Sequence, residues 1–372
     1  MAIRVLHLTS VFNRGGIETY LRDVLTRMPE EDVVFYFTHT EGVKGEMDDE
    51  YLERGARFIE VPEWRNIPGY LLAFKRAVRE NNIDIVHAHH PELQGYFLSI
   101  ARLLGVKARF VHVHNTYWDT TEKGLRGAFY KRLGRRITLN GATSGIACSA
   151  VAAAYAFGEN WQRDTRLKVI HYGIPLERFA EKHDRAQVRR DLGIPADALV
   201  VGHVGSFTPQ KNHRKLLEIA EALFARNKRA YLLLVGDGAL RPQVERLARE
   251  KAIADRLVFA GVRDDVPRIL AAFDVFLLPS LFEGLPVVLI EAQAAGVPCV
   301  VSQVITEESR IVEDGYVALG LDDSASKWAE ACESLAAGKD WRSSRGFEIV
   351  SKSDFNIEVS AGRLIREYED AL

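Results

Sequence analysis

The sequence predicts an α/β protein built from two parallel-sheet domains in tandem, and three observations carry that expectation. Short β-rich runs alternate with helix-length stretches along most of the chain. The alternation starts afresh in the second half, beyond a loop-like region around Gly173 and Pro175. The length, 372 residues, fits two domains at about 150 residues each with a little over.

In the first half, strands are expected at residues 3–8, 33–38, 57–61, 84–88, 109–114, 144–148 and 167–171, with helices at 17–28, 69–80 and 93–104. In the second half, strands are expected at 198–204, 229–235, 256–259, 274–278 and 298–302, with helices at 211–225, 239–250, 266–272 and 286–295. A final strand at 315–319 precedes helical sequence to the end. Gly173 and Pro175 disfavour helix, which places a hinge near 172–182. The expected domains are therefore 1–172 and 173–354, with 355–372 as a terminal helical piece. Open parallel sheets bind ligands at the carboxyl ends of their strands, so a cleft between two such domains is the expected site.

Composition removes several alternatives. With 47% apolar and 27% charged residues the chain can bury a core, which argues against disorder, collagen and coiled coil. A net charge of −2 gives no reason to expect a nucleic-acid partner. Cys148, Cys299 and Cys332 are far apart and lack metal spacing, so they read as buried small residues in a reducing compartment. The first apolar run contains Arg4, and the longest stretch without Asp, Glu, Lys or Arg (137–158) carries Thr138, Asn140, Thr143 and Ser144. Neither a targeting segment nor a membrane span is expected, and the chain is expected to be cytoplasmic.

The most informative stretch is 278–298. An apolar strand leads through Phe282-Glu283-Gly284-Leu285-Pro286 into a helix that carries Glu291 and stops at Gly296 and Pro298. Free amides at that helix start, around 284–289, form a ready anion site. Glu283 and Glu291, with seven residues between them, are on their own most simply a capping carboxylate and a solvated helix residue.

Context changes that reading. The strand, Glu, seven residues, Glu pattern resembles the paired-glutamate signature of retaining glycosyltransferases of the GT-B fold, family four. Gly205-Ser206-Phe207-Thr208-Pro209-Gln210-Lys211-Asn212 resembles the loop after the first strand of that family's nucleotide domain, and Gly236-Asp237-Gly238 and Gly261 resemble its next two strand ends. Asn13-Arg14-Gly15-Gly16 resembles the glycine loop after the first strand of the other domain, His114 the family's strand-end histidine, and Ile170-His171-Tyr172-Gly173-Ile174 the interdomain segment. The likeness covers nearly the whole chain. The region 283–308 particularly resembles enzymes of bacterial exopolysaccharide and capsule assembly.

The resemblance implies two Rossmann-like domains facing across a cleft, the first receiving the acceptor and the second the nucleotide sugar, with closure over the donor and 355–372 crossing back. It implies retaining transfer of a hexosyl type from a UDP-sugar to a saccharide or lipid-linked saccharide, without metal or other cofactor. Departing diphosphate needs a cation and oriented amides, for which Lys211 and the helix near Pro286 are the candidates. By resemblance, Lys211, Glu283 and His114 are catalytic. Donor contacts fall to Gly15, Gly16, Ser206, Lys211, Gly261, Val262, Arg263, Glu283, Gly284, Leu285, Val287, Val288 and Glu291, the last on the ribose. The glycines at 15 and 16 would let backbone approach the ligand without a Cβ clash.

One departure stands out: Ser206 occupies the position where relatives carry an arginine. Losing a charged bidentate contact to phosphate costs about 1–2 kcal/mol, roughly tenfold in affinity or rate. Compensation by Arg310, Arg214 or Arg263 is one expectation; a nucleotide-sugar-binding module with little catalysis is the alternative. His87, His89, His90, His112 and His114 tempt a metal reading, but no cysteine lies near, and cleft-lining or core histidines are expected in place of a metal site. Residues 107–136 hold eight basic side chains against Asp119 and Glu122, with Leu125, Phe129 and Leu133 at four-residue spacing. Arg132 and Arg136 fall within that stripe, so a solvated basic helix is the simplest reading, contact with an anionic membrane surface the sharper one, and RNA binding the remaining alternative. Gly236-Asp237-Gly238 lacks the third glycine of a dinucleotide fingerprint, and no Walker or nucleophile-elbow motif is present.

Overall fold

Among the described residues, every strand runs parallel to its neighbours, in two separate sheets. The computed structural model describes residues 2–63, 65–89, 91–115, 125–338 and 345–372, and side chains outside 91–94 and 125–131. The chain divides into two compact units, Met1–Gly173 with Ile357–Leu372, and Ile174–Asn356.

The first unit contains β1 (Ile3–Leu8), β2 (Val33–Thr40), β3 (Arg57–Val61), β4 (Ile85–Ala88), β5 (Ala108–Val113), β6 (Ser144–Ala147) and β7 (Leu167–Val169) in the order β3-β2-β1-β4-β5-β6-β7. The second contains β8 (Leu199–Val204), β9 (Ala230–Val235), β10 (Leu257–Gly261), β11 (Val275–Leu278), β12 (Cys299–Ser302) and β13 (Tyr316–Leu319) in the order β10-β9-β8-β11-β12-β13. Both are the doubly wound arrangement, in which connections leave in opposite directions on either side of one strand and open a crevice there. The switch lies between β1 and β4 in the first unit and between β8 and β11 in the second.

Period-2 burial explains why these runs are strands. In the second unit Val201, Leu232, Leu234, Val275, Leu277 and Val300 face one core layer with Leu216, Ile219, Leu223 and Trp328. Their neighbours Val200, Leu233, Val235, Phe276, Leu278 and Val301 face a second layer with Val188, Ile269, Phe273 and Leu289. Cys148, Cys299 and Cys332 are buried with no disulfide among them.

All the expected strands form, with their ends displaced by a few residues. Asp84 drops out of β4 because its carboxylate accepts the Arg4 amide at 2.9 Å. The helix expected from 211 starts at His213: Asn212 takes a left-handed conformation (φ 53°), and Pro209–Lys211 forms a separate 3₁₀ turn. The helix expected from 286 starts at Val287, with Pro286 as its extended N-cap. The region 172–182, expected as loop, contains a one-turn helix at Glu177–Ala180, and an unexpected helix at Arg185–Asp191 comes next, capped by Asp184.

The terminal helix Ile357–Asp370 packs within the first unit. Ser360 Oγ donates to the His171 carbonyl at 2.6 Å and lies 3.1 Å from the Tyr20 hydroxyl. The Tyr368 hydroxyl meets His87 Nδ1 at 2.6 Å. Among the described residues, no helix is long and apolar enough to cross a membrane.

Candidate active site

In the second unit, the loops that leave β8 and β11 are stitched together at the switch point. Leu281 N–H donates to the Gln210 carbonyl at 2.8 Å, and Asn212 Nδ2 donates to the Pro279 carbonyl at 3.1 Å. Against this seam the Lys211 ammonium donates to Glu283 Oε1 at 2.6 Å, and Gln210 Nε2 donates to Glu283 Oε2 at 2.9 Å. The Lys211 side chain is 14% exposed and that of Glu283 6%, so the ion pair is largely shielded from water.

Glu291 is buried as well, about one turn into the Val287–Ala294 helix. The structure therefore sets aside the solvated-helix reading of Glu291. The helix start is less open than its sequence suggests, because the Leu289 amide donates to the Pro286 carbonyl at 2.9 Å. Gly284 and Leu285 are buried there, and Val287 and Val288 are half-buried.

Gln293, two residues beyond Glu291, has every polar atom engaged. Its amide nitrogen donates to the Leu289 and Ser309 carbonyls at 3.0 and 2.8 Å, and its oxygen accepts the Ile311 and Val312 amides at 2.9 Å each. It fastens the segment after β12 to the helix that carries Glu291.

The Gly205–Phe207 stretch rests on the loop after β9. Gly236 (φ +128°) places its backbone where an added Cβ would sit 2.2 Å from the Gly205 carbonyl oxygen. That close approach explains the Gly236-Asp237-Gly238 sequence. Ser206 is exposed above it. The three arginines considered as substitutes have partners elsewhere: Arg214 with Glu218, Arg263 with Asp265 and Arg310 with Glu307. Gly261 ends β10 with φ +69°, and Val262 is 55% exposed beside it. Beneath the Lys211 loop, His203 and His213 are kept neutral. Burial lowers His203 well below the ordinary range and, with the nearby Lys211 charge, pushes His213 down to about 4.

In the first unit the switch point is lined by glycine backbone and by imidazoles. Gly15 is the extended N-cap of the Gly16–Arg27 helix (φ −150°), and Gly16 is exposed, with nothing within 4 Å of an added Cβ. Neither glycine takes a left-handed backbone.

His7 on β1, His87 and His89 on and after β4, and His112 and His114 on and after β5 share one face of the sheet, because His7 is paired in register with His87 and His87 with Phe110. His7 Nδ1 lies 2.8 Å from His89 Nε2, and His89 Nδ1 lies 2.8 Å from His114 Nε2. His114 Nδ1 meets the Tyr172 hydroxyl. His114 thus has both ring nitrogens bonded inside the unit. Burial pushes His7 and His112 down to about 3, with the charge of His112 a smaller cause for His7, and holds His87 and His89 well below the ordinary range. The sets His7, His87, His89 and His89, His112, His114 each bring ligand nitrogens within 4.8 Å of one another. These sets join His87, His89, His112 and His114, which the sequence singles out, with His7, which is remote from them in sequence. His90 and the 116–124 loop lie outside the described residues.

The basic stretch 107–136 is divided between structures. Arg109 on β5 donates to the Gly141, Val106 and Lys107 carbonyls, and Arg135 donates to those of Ala156 and Tyr155. On the Leu125–Gly141 helix, Arg132 and Arg136 are exposed and Leu133 is 41% exposed, while the side chains of Arg126 and Lys131 lie outside the described residues.

Comparison with known proteins settles the family. Residues 14–178 match the family model described as Glycosyltransferase Family 4, and residues 198–337 match Glycosyl transferases group 1. EpsF of Bacillus subtilis (strain 168) is 35% identical over 371 residues, 98% of this chain and 96% of that protein. The chain belongs to glycosyltransferase family 4. This family 4 glycosyltransferase is also 30% identical over 313 residues to the UDP-Gal:alpha-D-GlcNAc-diphosphoundecaprenol alpha-1,3-galactosyltransferase of Escherichia coli, spanning 81% of this chain and 80% of that one. Its fold is GT-B: the crystal structure of Anabaena HepE in complex with UDP-glucose superposes with a TM-score of 0.81 over 100% of both chains, at 19% identity.

Of the residues singled out in the glycosyltransferase sequence, Lys211 and Glu283 are in contact. Glu291, Gly284 and Leu285 lie on the same segment as Glu283. Gln210, Gln293 and Tyr172 carry no expected site role, and His89 is expected only as a cleft-lining or core histidine. Gln293 alone carried a local signal, as a polar residue in an otherwise small, apolar helix end.

Proposed function

We propose that this glycosyltransferase is retaining and metal-independent, and transfers a sugar from a UDP-sugar to a saccharide or lipid-linked saccharide in polysaccharide assembly. The observation that carries the reading is the Lys211–Glu283 pair at the β8/β11 switch point, ahead of the helix that holds Glu291. In this reading Lys211 exchanges part of its contact with Glu283 for the diphosphate. The helix dipole and amides near Gly284 take up further negative charge, and Glu291 accepts from the ribose hydroxyls. Glu283 faces the donor sugar, and Gly261, Val262 and Arg263 border the base. The bond from the anomeric carbon to phosphate breaks and the acceptor oxygen attacks on the same face. The leaving phosphate oxygen takes the acceptor proton, so the products are a glycoside and UDP. The first unit receives the acceptor, with Gly15 and Gly16 at its edge. Support for the donor and acceptor classes comes from the named UDP-Gal donor and diphosphoundecaprenol-linked acceptor of the Escherichia coli relative and from the UDP-glucose bound by HepE.

A thermal-shift screen of UDP-sugars tests this reading. A ligand at 100 times its Kd stabilises the folded state by about 2.7 kcal/mol, and Lys211→Ala and Glu291→Ala should abolish the winning ligand's shift. A product of inverted anomeric configuration, or turnover lost to EDTA and restored by a divalent ion, would sink the retaining or the metal-independent part. Exposed Arg132, Leu133 and Arg136 favour contact with an anionic membrane surface on the cytoplasmic side. Cosedimentation with phosphatidylglycerol vesicles at low salt should fall when Arg132 and Arg136 are replaced by Ser; unchanged binding removes the membrane contact.

A further inference from the structure

His7, His89, His114 and Tyr172 form one unbroken line of side-chain contacts. Successive ring centroids are 5.1, 5.0 and 5.7 Å apart, and the His7 and His89 planes differ by only 7°, those of His89 and His114 by 26°. With nitrogens 2.8 Å apart, these imidazoles meet edge to edge and not face to face. A tetrahedral zinc ion with Zn–N of about 2.0–2.1 Å holds its nitrogens about 3.3 Å apart, so these contacts are N–H···N hydrogen bonds. His87 stacks on His89 with centroids 4.5 Å apart, and His112 lies over His114 at 4.3 Å, which encloses the ribbon on its faces.

A neutral imidazole has one N–H and one bare nitrogen, so a ribbon of this kind has only two polarities. In one, every proton points from Tyr172 towards His7, which leaves a buried N–H at His7 Nε2. In the other, every proton points from His7 towards Tyr172, which leaves a bare nitrogen there. His7 Nε2 is buried and without a partner. An orphaned buried N–H is the rarer and costlier outcome, so the second polarity is favoured. It makes His7, His89 and His114 all Nδ1–H tautomers and has His114 donate to the Tyr172 oxygen. The Tyr172 proton then remains free to be given to another group.

We propose that His89 and His7 are positioning residues which, through this ribbon, fix His114 as the Nδ1–H tautomer and leave Tyr172 as the polarised hydroxyl donor to a sugar hydroxyl at the carboxyl end of β5. The ligand half of this inference rests on the donor reading given above; the tautomer half stands on the ribbon alone. Burial keeps His7 and His89 neutral, as the ribbon requires of them.

Long-range proton–nitrogen NMR of histidine-labelled wild-type protein reads the tautomers directly. The expected spectrum has His7, His89 and His114 protonated at Nδ1. His7→Phe, which touches neither His114 nor Tyr172, should turn His89 and His114 into tautomer mixtures. His89→Phe should raise the KM for the donor about tenfold while kcat stays within about threefold. Should His89→Phe fail to fold, the wild-type and His7→Phe spectra still decide. His114 protonated at Nε2, a His114 signal unmoved by His7→Phe, or one zinc ion retained per chain after chelation each overturns the proposal. A wild type that binds no UDP-sugar overturns the donor reading, and the spectra then judge the ribbon by themselves.

Discussion

Lys211 and Glu283 form a shielded charge pair in which the stability of each partner depends on the other. Each is shielded, and each satisfies the other at 2.6 Å. Removing one leaves the other charge buried without compensation, which costs about 3–5 kcal/mol, whereas exchanging both for apolar residues is often neutral. Lys211→Ala and Glu283→Leu are each expected to destabilise the second unit by that amount in urea unfolding. The double replacement Lys211→Met with Glu283→Leu should recover most of the stability and none of the donor binding. Equal losses in the single and double variants would mean that the pair is not coupled. Glu283 was legible as a turn carboxylate before a helix, and Lys211 as a cation in a loop. Their direct contact was not, because 72 residues separate them and only the β8/β11 pairing brings their loops together.

At the scale of elements, the helix Val287–Ala294 and the 309–312 segment hold each other in place. Gln293 supplies the four hydrogen bonds that join them and close the helix end. Replacing it by Leu keeps its bulk but strands two amides and two carbonyls, and unsatisfied buried groups cost about 1–3 kcal/mol each. Because some of these groups regain water, we expect Gln293→Leu to lose about 2–4 kcal/mol by denaturant unfolding and to speed amide exchange at Ile311 and Val312. Protected amides in the variant would show that the segment is held by other contacts. The helix itself was readable from Pro286 and Gly296. Its start moved by one residue because Pro286 adopts an extended conformation, a detail set by the buried turn before it.

Across the whole molecule, the distribution of neutral histidines makes stability depend on pH. In the first unit His7, His87, His89 and His112 are held below their ordinary range by burial. The unfolded chain takes up protons at these rings near pH 6.5 while the folded unit does not. Stability is therefore full above that pH and lost as pH falls from there towards the folded values, about 3 for His7 and His112. Each ring contributes about 1.4 kcal/mol by pH 5.5, so the four together remove about 6 kcal/mol, a large share of the 5–15 kcal/mol of a typical domain. The second unit has two such rings, His203 and His213. Peptide-resolved hydrogen exchange on acidification should show the first unit opening at higher pH than the second; simultaneous opening would contradict this.

Local composition by itself determined the α/β class, the strand positions and the order of the glycine, lysine and glutamate motifs, because strands advertise themselves through β-branched runs and turns through Gly and Pro. Tertiary structure alone decided which of those motifs meet. Strand order joined Lys211 to Glu283, and the register of His7 with His87 and of His87 with Phe110 assembled five imidazoles from three strands into one layer. Partners chosen by sheet pairing leave no trace in either partner's neighbourhood, which is why the glutamates could be found by reading and the histidine ribbon could not.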